Sequence, residues 1–176
     1  MTIKPIVTVV SEEAKILQLV GSVFYGDPFH AVGGWDPNNE IGLTWKRFMQ
    51  LYQQHEARIT SLRVDPDVSY EVHIEPAQYK EDKKYYVFVG VEVTELKDIP
   101  LELFGLTLPE TLYATFTFKG KGMFKGGDYI WKQWLPNSAY IESYPFMMEA
   151  YHATRFRGLN DDESELDWIV PVRRRA

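Results

Sequence analysis

Cysteine is absent from the 176 residues, so the chain has no disulfide framework, no thiolate metal site and no cysteine nucleophile. Long apolar runs are missing as well, and nothing approaches the roughly 20 residues that a bilayer-spanning helix needs. The opening residues, MTIKPIVTVVSEEAKI, lack a basic region followed by an apolar stretch and a small-residue cleavage site. Positive charge is in deficit: 19 Lys and Arg stand against 25 Asp and Glu, for a net charge of −6. That balance argues against a non-specific nucleic-acid binder. The one basic cluster, Arg173 to Arg175, is at the C-terminal end. His30, His55, His73 and His152 are scattered, without the HExxH spacing that holds a metal. These shortages predict a soluble, cytoplasmic chain with no metal, no cofactor and no membrane contact.

What is present is an ordinary globular mixture, 45% hydrophobic and 25% charged, long enough for one well-buried core. Aromatic residues reach 15%, which suits a core or a ring-lined pocket. Residues 3–10 read as an extended lead-in, and Ala14 to Gly26 as a strand. Asp27 to Asn39, with two prolines and a Gly-Gly pair, reads as a loop. Glu40 to Thr60 reads as a helix capped by Asn39, with Ile41, Trp45, Phe48, Met49 and Tyr52 on one buried face.

Val68 to Ile74 alternates. Val68, Tyr70, Val72 and Ile74 are expected on the apolar face, with Ser69, Glu71 and His73 pointing away. A polar turn at 75–84 precedes YYVFVGVEV, residues 85–93, which has the apolar, β-branched makeup of a central strand. Residues 95–109 read as irregular. The second half runs through a strand at 112–122, a helix opening at Asp128 and limited by Pro136, and strands at 146–154 and 167–172. KGKGMFKGG, residues 119–127, fails both phosphate-loop patterns and reads as a connector.

The halves correspond. Residues 16–26 align with 112–122 at an offset of 96, and Thr44 to Phe48 aligns with Ile130 to Trp134 at an offset of 86. The expected fold is α+β: duplicated βαββ units, at about 1–95 and 106–176 of a single 1–176 domain. Antiparallel strands and two main helices would surround a central cleft. Within the second unit, Asp128 to Tyr151 holds two tryptophans and four tyrosines. Glu149 stands there among Phe146, Met147, Met148 and Tyr151. An ionised acid in such company must meet a partner, hold a proton or face a cavity. Lys132 and Arg155 are the candidate partners.

Trp45, YVFVGVEV, YATFTFKG, IWKQWLPNSAY, FMMEAY and WIVPVRRR, taken in order, resemble the GyrI-like small-molecule-binding domain, the effector-binding domain of AraC-type regulators. The resemblance implies the SHS2-like pseudo-repeat and a cleft for lipophilic, cationic molecules. Glu149 matches the family's cleft glutamate, although FMMEAY sets one more residue between Phe and Glu than the family pattern does. The ring walls would be Tyr113, Trp131, Trp134 and Tyr151, with Met147 beside them.

Three activities are compatible with that resemblance. The first is binding of a small hydrophobic or cationic effector in a stand-alone member, without direct nucleic-acid contact. The second is hydrolysis of cyclopropane-bearing genotoxic compounds, with Glu149 and Tyr113 as catalytic groups. The third is a protein-interaction role, with a regulator or a topoisomerase as partner, as in gyrase-inhibitory relatives.

Overall fold

A computed structural model describes residues 3–28 and 38–176. Most of the loop expected at 27–39 therefore lies outside the described residues. The chain divides into two compact units, Leu17–Leu108 and a second built from Met1–Ile16 with Pro109–Ala176. The fold is α+β: among the described residues there are eight strands, and in each unit helices follow one strand and lead into further strands. Among the described residues no helix is long and apolar enough to cross a membrane.

In the first unit β2 (Lys15–Gly26), β4 (Tyr85–Glu92) and β3 (Val68–Ile74) pair antiparallel, with β4 in the middle. Its valine-rich sequence suits that central place, because both faces of the strand are covered. Helix α1 (Glu40–Gln54) is fixed at its start by Asn39, whose side chain accepts from the Ile41 and Gly42 amides at 3.0 and 3.1 Å. That cap satisfies two otherwise orphaned donors. Asn39→Ala is expected to lower stability by about 1 kcal/mol in urea denaturation.

The helix does not run unbroken to Thr60. His55 leaves helical geometry at φ −114° and ψ 19°, its amide bonding the carbonyls of Leu51 and Tyr52, and α2 (Glu56–Thr60) restarts beyond it. Nor is Met49 on the buried face, being 55% exposed. At about 100° per residue it stands roughly 70° from the stripe that Ile41, Trp45, Phe48 and Tyr52 share. The polar turn contains one short helix, α3 (Tyr79–Asp82).

The simple alternation expected in β3 also fails at its centre. Glu71 is only 2% exposed, and with Val72 it makes both faces of the strand buried there. Two donors make this tenable: Trp45 Nε1 and the His73 ring each lie 2.6 Å from a carboxylate oxygen of Glu71.

Residues 104–109, expected to be irregular, belong to β5 (Phe104–Lys119). Pro109 fits because its fixed φ is compatible with extended backbone, at the cost of one N–H. In the second unit β1 (Val7–Val10) pairs with β5, and β5 with β8 (Glu165–Arg174). β8 also pairs with β7 (Phe146–His152) and with the three-residue β6 (Tyr140–Glu142), which the sequence pattern does not announce.

Residues 119–127 are not a plain connector. After Gly120, at φ +54°, they form a 3₁₀ helix (Gly120–Lys125) that leads directly into α4 (Gly126–Tyr129). A π-helical turn (Ile130–Trp134) and α5 (Leu135–Asn137), with Pro136 at its start, continue the helical run. Ala114, Phe116, Phe118, Ile130, Leu135, Leu166, Val170 and Val172 form the core of this unit, with Trp131, Trp134, Tyr151 and Trp168 packed against it.

Candidate functional site

Strand register decides which side chains can act together. Across the ladders Phe116 faces Trp168, and Trp168 faces Glu149, so all three stand on one side of the second unit's strands. This is the side of the Phe116 and Phe118 core, which the helical run 126–137 supplies with Ile130, Trp131 and Leu135. Residues two apart on β7 share a face, so Met147 and Tyr151 join Glu149 there. The tyrosine hydroxyl donates to Glu149 Oε2 at 2.6 Å.

The acid is half-buried while Met147 is buried. Lys132 pairs with Asp128 one helical turn away, at 2.6 Å, and Arg155 with Asp167 and Glu165. Neither of the basic residues suggested as partners is thus held by Glu149 in these pairs.

Trp168 was not among the expected ring walls, yet it is central. Its Nε1 donates to the Met123 carbonyl at 3.0 Å, and its ring meets Trp131 edge-on at 6.3 Å and Phe118 at 6.5 Å. Only cross-strand register could have singled it out. Gly126, the first residue of α4, leaves room for this ring. A Cβ at Gly126 would come within 2.9 Å of the Trp168 indole and 2.8 Å of Phe118. Gly126→Ala is therefore expected to cost about 1–3 kcal/mol through overpacking and to shift indole fluorescence, both readable in one denaturation series.

Trp131 Nε1 donates to Glu142 at 2.9 Å, which fixes the indole over Trp168. Trp134 stacks on Tyr140 at 5.8 Å with planes 9° apart and meets Phe116 edge-on at 4.8 Å. It helps to bound the same core. Tyr113 is elsewhere. It lies opposite Pro171 on the alternate face of β5, its ring 6.4 Å from Phe146, and its backbone amide bonds Ser11 Oγ. The structure thus brings together Glu149, Tyr151, Met147, Trp131 and the unforeseen Trp168. It sets Tyr113 on the other face of the sheet from Glu149, so the two do not form a pair.

The frame is a duplicated α+β domain carrying an acid among aromatic rings. Residues 31–173 match the family model described as the GyrI-like small molecule binding domain, and the chain belongs to that family. The transcriptional regulator BrlR of Pseudomonas aeruginosa is 28% identical over 162 residues, covering 91% of this chain and 53% of BrlR. The chain thus spans about half the length of that curated relative. SAV2435, solved with tetraphenylphosphonium bound, shares the fold with a TM-score of 0.67 at 16% identity, over 96% of this chain and 94% of that one. The C-terminal domain of EcmrR gives a TM-score of 0.60 at 14% identity, over 96% and 98% of the two chains.

Proposed function

We propose that this domain captures a lipophilic cation, with Glu149 as the counter-charge and Tyr151, Trp168, Trp131 and Met147 as the apolar surround. The observation that carries this reading is the direct Tyr151–Glu149 hydrogen bond on a face furnished with indoles. A carboxylate among aromatic rings offers a cation a counter-charge. Aromatic rings add cation–π attraction without demanding hydrogen-bond donors from the ligand. A quaternary phosphonium or ammonium ion has no such donors and suits that chemistry.

The tetraphenylphosphonium found on SAV2435 is the natural probe, because it is bulky, aromatic and permanently charged. Calorimetric titration with this ion tests the proposal. Wild type is expected to bind and Glu149→Gln to bind much more weakly. Equal affinity in the two proteins would remove the counter-charge role. Tyr151→Phe keeps the ring but frees the acid from its hydroxyl donor, and affinity is expected to change by less than about fivefold.

A further inference from the structure

One edge of the second unit is β1, whose four residues VTVV contain neither a charge nor a proline. Among the described residues β1 pairs with β5, and β8 takes the other side of β5 over the same stretch, 114–117. β1 therefore leaves one of its own edges open. An edge strand presents a row of unpaired N–H and C=O groups, which natural proteins blunt with lysine, proline, a bulge or a short strand. Only shortness guards residues 7–10.

The ladder decides which groups stand on that edge. The Ser11 amide donates to the Tyr113 carbonyl at 2.9 Å. Amides two residues apart point the same way, so those of Val7 and Val9 also face β5, and those of Thr8 and Val10 turn outward. Val7 and Val9 lie opposite Thr117 and Thr115, on the face away from Phe116. They are 49% and 56% exposed.

The flanking charges name the occupant. Lys4 precedes the strand, Glu12 follows it, both are exposed, and Thr8 stands midway between them. Antiparallel pairing of β1 with a second β1 about Thr8 sets Val7 against Val9 and brings each Lys4 beside the other copy's Glu12. It also opposes Thr8 to Thr8 with both amides turned toward the partner, as a hydrogen-bonded antiparallel pair requires. A shift of one residue would oppose Thr8 to Val9, whose amide faces β5, and those bonds would be lost. A shift of two restores the bonds but sets Lys4 opposite Val10 or Ala14. One register satisfies both demands.

We propose that β1 is a self-pairing edge, through which two copies of this chain associate about a two-fold axis at Thr8. The contact is isologous, so each attraction occurs twice. Val7 and Val9 of both copies leave water together on one face of the joined strands. Phe116, Trp168 and Glu149 stand on the opposite face, so the proposal is independent of the Glu149 reading.

Sedimentation velocity of the full chain from about 10 to 500 µM tests this, because a weak association grows with concentration by mass action. Wild type is expected to shift from monomer towards dimer across that range. Lys4→Glu and Glu12→Lys should each weaken the association by at least about tenfold, since each sets two like-charge pairs across the axis. An equimolar mixture of these two variants should recover it, because a mixed pair opposes unlike charges at both ends. Thr8→Pro removes the amide at the axis, on an edge where proline is tolerated, and should weaken association at least as much. Melting curves identify any variant that fails to fold, and the remaining ones then decide. A wild type that stays monomeric, folded single variants that associate as well as wild type, or a mixture no stronger than its components overturns the proposal.

Discussion

Glu149→Gln is expected to weaken tetraphenylphosphonium binding by about 10- to 100-fold while leaving the melting temperature near that of wild type. Glutamine keeps the shape of the side chain and can still accept from the Tyr151 hydroxyl, 2.6 Å away in the native protein. Only the charge is removed. A charge pair in a half-buried site contributes about 1.4–2.8 kcal/mol, and each 1.4 kcal/mol is tenfold in affinity. Rising salt should reduce the wild-type affinity and leave the variant almost unmoved, since screening acts on the term the variant has lost. Loss of binding accompanied by a lowered melting temperature would instead mean that the acid supports the fold.

Asp167→Ala is expected to destabilise the protein by about 3–5 kcal/mol. Asp167 is buried beside Thr117 Oγ1 at 2.6 Å, Arg155 Nη2 at 2.8 Å and His152 Nε2 at 2.9 Å. Removing it strips three neighbours of a shared acceptor and leaves Arg155 with Glu165, at 3.0 Å, as its ion-pair partner.

The same network predicts acid sensitivity. Burial pushes the Asp167 carboxyl upward, but the hydrogen bonds from Arg155 and Thr117 and the charge of Arg155 outweigh it, and the net shift is downward. A carboxyl lowered in the folded state favours folding once the pH exceeds its unfolded value, near 3.9. That contribution is lost as the pH falls from there through the folded value. Urea midpoints of wild type and Asp167→Ala should therefore differ most at neutral pH and converge below about pH 4.

Much of this fold was readable from pattern alone, for identifiable reasons. The valine run of β4 could hardly be anything but an interior strand, and Asn39 announced its helix through the chemistry of its side chain. Glu149 stood out because its neighbours in sequence are also its neighbours in space, Tyr151 being two residues away on the same strand face.

Features set by distant residues were hidden. Glu71 sits in a pattern that points it outward, and its burial is supported by His73 on the same strand and by Trp45, 26 positions earlier, which no local pattern brings to it. Trp168 becomes part of the Glu149 face through register between β7 and β8, which no local pattern encodes. The same holds for Tyr113. Its place in the strand was evident, whereas its face follows from pairing with Pro171. Alternation, which points Glu71 outward, also concealed that it holds the same fourth position in β3 that Glu149 holds in β7.

The central claim is that Glu149 and the rings on its face receive the cation. A crystal structure of the protein with tetraphenylphosphonium tests it most directly. The expected result is phosphorus within about 6 Å of the Glu149 carboxylate, with phenyl groups against Trp168, Trp131 or Tyr151. A phosphonium bound elsewhere, with the Tyr151–Glu149 hydrogen bond intact and those rings untouched, would contradict it.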